Sequence, residues 1–575
     1  LQHPFDTRLQ RRLQAFDPRQ VPVFRFDLIV VGAGAAGSAA ALAAADQGLS
    51  VAILVKGELR KTNTWWAKGG MATVLAPDDS FDLHVADTMA VGCDLSELAA
   101  VDAVVRGGPA AVDRLVALGG QYDRTPDGEL DLTREGGHSR ARIFHSGDAT
   151  GIVIQNSMSD AVEAHPGITV FPGHFVADIL RGEAGEAQGV LALRDTRKQA
   201  RFDPAKPILR VAFAAPSVLL ATGGAGQLYR ETTNPEIATG DGVALGFRAG
   251  AEVRDMEFFQ FHPTCLYIAG AARVLISEIV RGAGGLLVDK NGERFMPGAH
   301  PDAELAPRDV VSRACFARMV ATEDTSVYLD LTQVEGDPHR KFPVVSRTCK
   351  LFGIDIAHDP VPVRPGAHYM VGGLTVDLDG RTSVAGLFSA GECSSSGLHG
   401  ANRMGSNSLL EAVVLGHRAG LTAAGSGGRV PSLEATGPLA DSDEGSGIDI
   451  NLEDVTYSLK SLMWRQLGIE REGAQIEDAL EKIDLWTRAV QDLATPRSRS
   501  YELLNMLTVA RLAALGAAAR EESRGVHFRT DFPERDEAWH AHSAQVAVTC
   551  GEEIVGVELT RTALPVTEPA TEPSL

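Results

Sequence analysis

Three glycines, Gly32, Gly34 and Gly37, stand in the spacing GxGxxG. The spacing suits a phosphate cradle for steric reasons. The first glycine permits a tight turn, the second lets a pyrophosphate approach the backbone, and the third lets a helix pack close on its sheet. A second glycine-rich segment, GLFSAGECSSSGLHGANRMGSNSLLEA, runs from Gly386 to Ala412 and sets Glu392, His399, Asn402 and Arg403 among its glycines. The two segments begin 360 residues apart, at Phe26 and Gly386. One dinucleotide held by both implies a large redox domain with something inserted between its halves.

The elements that must position these residues are readable locally. Phe24 to Val31 reads as one buried strand, Ala35 to Asp46 as an alanine-rich helix stopped by Gly48, and Val51 to Val55 as a second strand. This β-turn-α-β order is the setting a glycine fingerprint needs. The acid that usually holds a ribose is missing from the end of the second strand. Lys56 stands there, 24 residues after Gly32, which leaves an unusual ribose environment or an NADP-like site open. Glu58 nearby reads as solvated. VAFAAPSVLLATGG, from Val211, reads as extended chain, but Pro216 argues against one uninterrupted central strand.

From about Met256 to Met370 the character changes toward a separate mixed α/β domain, after which strand-like segments return to the first domain. A linker rich in glycine, serine, proline and acids follows. Asn451–Gly468, Gly473–Asp492 and Ser500–Arg524 then show helical spacing, and the last ten residues are expected to be mobile.

The chain has 575 residues, with 54 basic against 75 acidic, for a formal charge of -21. That balance argues against a nucleic-acid partner, which would need a basic surface. The six cysteines are scattered without a CxxC pair, so no metal or iron–sulfur site is expected and a reducing compartment is. The longest apolar run, Leu28 to Ala45, contains the glycine fingerprint, so no membrane span is expected either. The first twenty residues carry arginines but no signal core, and the expected location is cytoplasmic.

A series of blocks resembles the succinate dehydrogenase/fumarate reductase flavoprotein superfamily, and within it the L-aspartate oxidases more closely. They are VVGAGAAGSAAALAA, TNTWWAKGGMA, LTREGGHSRARIFHSGDATG, LLATGGAGQLY, MEFFQFHPT, EIVRGAGGLLVDKNGERFM, RDVVSR, HYMVGGLTVDLDG, GLFSAGECSSSGLHGANRMGSNSLLEA, MWRQLGIERE and ARLAALGAAAREESRGVHFRTDFP. They extend from about Phe26 to Pro533. The resemblance implies an α/β fold: a Rossmann-like FAD-binding domain, an inserted α+β capping domain and a C-terminal helical domain. The expected boundaries are 21–255 and 371–424 for the FAD-binding domain, 256–370 for the cap, 425–447 for the linker, 448–535 for the helical domain and 536–575 for a C-terminal extension.

The resemblance also implies FAD. It assigns Gly32, Gly34, Gly37, Lys56, Thr64, Gly69, Gly70, Gly223, Asp241, Glu392, Asn407, Ser408 and Leu409 to the cofactor. It accommodates lysine at 56 without NADP. Asn63 stands where covalent relatives carry a histidine, so the FAD is expected to be non-covalent; Lys68 stands where glutamine is common.

For a substrate with two carboxylates, arginine forks and histidine donors are suitable grips. The resemblance places His262, His368 and Arg403 on those carboxylates and makes Arg308 the catalytic residue, with charge positioning favoured over proton transfer because a free guanidinium is a very weak acid. Arg281 is a weaker candidate for a pocket charge. Glu135 is assigned to the substrate amino group, which succinate lacks. The implied reaction is oxidation of L-aspartate to iminoaspartate, with oxygen or fumarate as electron acceptor. It opens de novo NAD synthesis, functionally coupled to quinolinate synthase. A soluble fumarate reductase and an electron-transfer flavoprotein subunit are the alternatives.

Overall fold

The computed structural model describes residues 2–194, 209–268, 274–436, 450–493 and 498–564. At its centre is a five-stranded sheet in the order Leu387–Ser389, Ser217–Leu220, Leu28–Val31, Val51–Val55, Ile168–Pro172. Every neighbouring pair is parallel. The three middle strands are buried along their whole length, as runs of Val, Ile and Leu between two helical layers should be.

The helix Ala35–Asp46 begins where that sheet's first turn ends and is buried on nearly every side. Its alanines let the helix Asn407–Gly425 come unusually close. A Cβ on Gly416 would lie 2.5 Å from the Ala36 carbonyl oxygen, and one on Gly420 would lie 2.2 Å from that of Ala40. The second glycine-rich segment is thereby clamped beside the first.

The expected single strand Phe24–Val31 is two strands in two sheets. Val23–Arg25 pairs in parallel with Leu209–Ala214 in a four-stranded sheet, and Leu28–Val31 pairs with Ser217–Leu220 in the central one. Asp27 makes the step: its carboxylate accepts from the Ser50 N–H at 2.9 Å and the Ser50 hydroxyl at 2.6 Å. Pro216 makes the matching break on the partner chain, as its missing N–H leads one to expect.

A five-stranded antiparallel sheet takes all its strands from 259–370, in the order Val274–Leu275, Phe259–Leu266, Val361–Met370, Val327–Asp330, Leu286–Val288. The helix Arg308–Ala321 packs on it around a separate apolar core. The chain leaves and re-enters at one place. Asp255, with φ +59°, is followed at the return by Gly372, whose Cβ would lie 2.2 Å from the Asp255 carbonyl oxygen.

The expected C-terminal extension supplies the hairpin Ala541–Cys550 and Glu553–Ala563, which joins Gln2–Gln10, Val253–Arg254, Gly373–Thr375 and Ser394–Ser395 in a six-stranded sheet. The three C-terminal helices are Leu452–Gln466, Gly473–Gln491 and Ser498–Ala519. The last stops before the expected Arg524. There Glu522 accepts hydrogen bonds from both Arg520 and Arg524, each two residues from it, a separation that a helix would turn to a different face. This helix is long and apolar enough to cross a bilayer, but 83% of its apolar window is buried inside the molecule, so it serves as a core element. Part of the expected linker, 437–447, and the expected mobile last ten residues lie outside the described residues.

Candidate active site

A cleft runs along the carboxyl edge of the central sheet, where open α/β folds bind their ligands. Gly32, Gly34, Lys56, Thr64, Gly223, Asp241, Glu392, Ser408 and Leu409 line it together with His368 and Arg403. Both glycine-rich segments therefore face one space. Gly32 has φ +106°, and a Cβ there would lie 2.2 Å from the Ala221 carbonyl oxygen. Gly37 fills the packing role: its Cβ would meet the Gly32 carbonyl oxygen at 2.1 Å. The helix Ala35–Asp46 has neither a capping side chain from its N-cap residue nor an acid in its first turn, so its N-terminal amides beyond that of Ala35 are left for an anion. This cradle fits a dinucleotide pyrophosphate.

Other cofactor candidates divide by location. Thr64 accepts the Ala35 N–H at 3.0 Å and so ties its loop to the cradle. Gly70 packs instead on Phe144, where a Cβ would meet the carbonyl oxygen at 2.3 Å. The Asn407 amide is committed to His84 at 2.9 Å and Thr88 at 3.0 Å, so its side chain braces the segment. Gly69 lies by the substrate candidates, its Cβ position 3.0 Å from Glu135 Oε1.

Glu392 is half-buried in the cleft wall and accepts from the Met370 N–H and the Asn63 amide, both at 3.0 Å. Burial pushes its carboxyl up to about 7. Asn63 thus holds a carboxylate in the position where covalent relatives carry a histidine.

Arg308 opens the helix Arg308–Ala321, and its Nε donates to Glu278 at 2.8 Å. Arg403, from the second glycine segment, donates to Ser408 at 2.7 Å and lies 4.6 Å above the Tyr369 ring. Gln260 joins the two arginines: its Oε1 accepts from Arg403 at 3.2 Å and Arg308 at 3.4 Å. Burial, then the neighbouring Arg308, lowers the Arg403 guanidinium to about 10. Two adjacent buried cations favour an anion between them.

Glu135 is buried beside this pair and accepts from the Ser406 hydroxyl at 2.8 Å. Gly405 separates it from Arg308. A Cβ there would lie 2.7 Å from Glu135 Oε2 and 2.8 Å from Arg308 Nη2. Burial raises the Glu135 carboxyl, the Glu278 carboxylate raises it further, and Arg308 opposes them.

His262 and His368 complete the cluster, with ring centroids 5.1 Å apart. Burial holds both imidazoles well below their usual range, and Arg308 and Arg403 reinforce it. Both rings are therefore neutral at neutral pH. The Thr264 N–H donates to His262 Nδ1 at 3.2 Å, so His262 carries its proton on Nε2 as a donor.

Two residues within the quoted blocks belong to the site but were not singled out in the sequence. Glu278 pairs with Arg308, accepts the Gly136 N–H at 3.1 Å and lies 3.5 Å from Arg281. Gln260 is the bridge just described. The signal for the first was the EIVR spacing, which sets acid and base three apart on one helical turn. Arg281 turns toward the Glu304 carbonyl, so it supports the cluster from behind. Lys68 is depressed by burial and lies near Asp148. The serines 394–396 bond to Gly391, Arg254 and Glu411.

Residues 27–409 match the FAD binding domain family, and residues 456–571 match the fumarate reductase flavoprotein C-terminal family. An L-aspartate oxidase of Synechocystis is 37% identical over 90% of this chain and 96% of its own. That of Mycobacterium tuberculosis is 42% identical over 88% and 92%. Among solved structures, FrdA of E. coli quinol fumarate reductase superposes with a TM-score of 0.84 at 32% identity, over 96% of this chain and 99% of that one.

Proposed function

The chain belongs to the L-aspartate oxidase family, and from that premise we propose that its buried pocket oxidises L-aspartate to iminoaspartate. The observation that carries the reading is one cluster holding both kinds of charge the substrate requires. Arg308 and Arg403 meet at Gln260, and Glu135 faces Arg308 across Gly405. A dicarboxylate alone needs only the cations. An amino acid with two carboxylates also needs an acceptor for its ammonium.

Non-covalent FAD is the cofactor. The residues that fit it are Gly32, Gly34 and the amides of the following helix at the pyrophosphate, with Lys56 and Asp241 toward the ribose and Glu392 further along the cleft. Bound there, FAD would supply a two-electron acceptor for the substrate Cα hydride, with oxygen (giving hydrogen peroxide) or fumarate (giving succinate) as the final electron acceptor.

The chain's own residues orient and discriminate. Arg403 and His368 line the cofactor cleft, so a carboxylate bound there is held against it. His262 donates from Nε2 to a carboxylate oxygen. Arg308, fixed by Glu278 and Gln260, sets positive charge beside the reacting carbon and orders the second carboxylate. Glu135 accepts hydrogen bonds from the substrate amino group, which selects an amino acid over a plain dicarboxylate. The product is a reactive imine, and its consumption by quinolinate synthase in the cytoplasm places the reaction at the start of de novo NAD synthesis.

Anaerobic titration of the holoenzyme with L-aspartate tests this. The flavin absorbance should bleach with one equivalent, with iminoaspartate as product. Bleaching by succinate but not by L-aspartate would overturn the reading in favour of a fumarate reductase.

A further inference from the structure

The C-terminal helix Ser498–Ala519 reaches the cofactor cleft from below, through two of its polar residues. Glu502 accepts from the Lys56 ammonium at 2.8 Å, and Asn505, three residues on, donates to Asp241 Oδ1 at 2.8 Å. Lys56 also donates to Asp241 Oδ2 and to the Thr239 hydroxyl, each at 2.7 Å. The other end of the Asn505 amide accepts from Arg248 at 2.6 Å. Lys56 and Asp241 line the cleft, whereas Glu502 and Asn505 stand behind them.

The position matters because the end of the second strand of a dinucleotide fold faces the ribose. A free lysine there would attract a phosphate. Here its charge is already met by two carboxylates, and a third anion brought to it would meet both of them. Lys56 is correspondingly reinforced as a cation: burial opposes its charge, but Asp241 and Glu502 outweigh that. Two of its three donor hydrogens are taken by carboxylates and the third by a hydroxyl, so its position is fixed in three directions.

We propose that Glu502 and Asn505 are positioning residues for FAD, holding Lys56 and Asp241 at the ribose end of the cleft from a helix far away in the chain. The inference rests on the FAD assignment above, but not on the identity of the substrate. It makes the C-terminal helical region part of the cofactor site. Glu502 acts through Lys56, and Asn505 acts through Asp241.

The test is a double-mutant cycle read on FAD affinity, measured from the flavin fluorescence released when holoenzyme is diluted. Glu502→Gln is nearly isosteric and should raise the Kd for FAD about tenfold, the loss of one charge-assisted hydrogen bond. Lys56→Met should raise it as much or more. The double variant should be no weaker than Lys56→Met alone, because Glu502 then has nothing to position. Asn505→Ser, acting through Asp241, should weaken FAD as well. A Kd for Glu502→Gln within twofold of the parent overturns the proposal. So do multiplying effects of Glu502→Gln and Lys56→Met, which would mean a merely structural role for the helix. The measurement contains no turnover, so failure of the L-aspartate assay leaves its outcome untouched.

Discussion

The phosphate end of the cofactor cleft and the substrate pocket lie side by side but are built by opposite means. The first is made of backbone. Gly32, Gly37 and Ala221 approach within distances that admit no side chain, and one helix offers its amides. The second is made of side chains from five separated segments: Glu135, Gln260, Glu278, Arg308 and Arg403. Close backbone contact fixes one geometry and leaves nothing to titrate. A buried charge cluster can be tuned residue by residue, and each member depends on the others. Binding a large cofactor and discriminating a small substrate are thus assigned to different materials.

Variants can separate the two. Arg403→Leu removes one of the two cations that meet at Gln260, leaving only Arg308, and should lower kcat/KM for L-aspartate about 10³-fold, roughly 4 kcal/mol, while FAD is retained. Turnover and flavin content measured together would check it; loss of FAD to the same degree would erase the distinction.

Glu392 gives the next largest effect. Its carboxyl is raised by burial from 4.5 to about 7, so the folded apoprotein binds a proton that the unfolded chain has released. The stability it contributes is full below 4.5 and is lost as pH rises through about 7, by up to about 3 kcal/mol. Thermal unfolding of the apoprotein from pH 4.5 to 8 should show that fall, and Glu392→Gln should flatten it.

Gly32→Ala tests the backbone side. With φ +106° and a carbonyl oxygen 2.2 Å from the new Cβ, it should raise the Kd for FAD about thirtyfold, roughly 2 kcal/mol, with the pocket intact once FAD saturates. Glu135→Gln is milder and more selective. The KM for L-aspartate should rise about tenfold, with fumarate reduction nearly unchanged. Equal effects on both substrates would remove the amino-group assignment. Ser408→Ala frees one Arg403 hydrogen and should raise the KM about threefold.

The same contrast decided what the sequence could disclose. Ala35–Asp46 and Val51–Val55 were legible to the residue, because turn glycines and apolar runs act locally. Phe24–Val31 was misread as one strand, since the step at Asp27 depends on Ser50 and on two distant partner strands. Glu278 and Gln260 went unremarked because their meaning lies in Arg308, 30 and 48 residues away. Glu502 and Asn505 were hidden in a helix read only by its apolar stripe. Arg308, Arg403 and Glu135 were reached by resemblance; no local pattern distinguishes them from surface charges.

The paired breaks at Asp27 and Pro216 carry a consequence for how the molecule comes apart. Two neighbouring chain segments cross from the four-stranded sheet to the central one at the same level, and each remains hydrogen-bonded to the other on both sides of the crossing. Neither sheet can open its amides to solvent without pulling on the other. Hydrogen exchange should therefore protect Val211–Ala214 and Leu28–Val31 as one cooperative unit, released in a single event, with the cradle glycines at its edge.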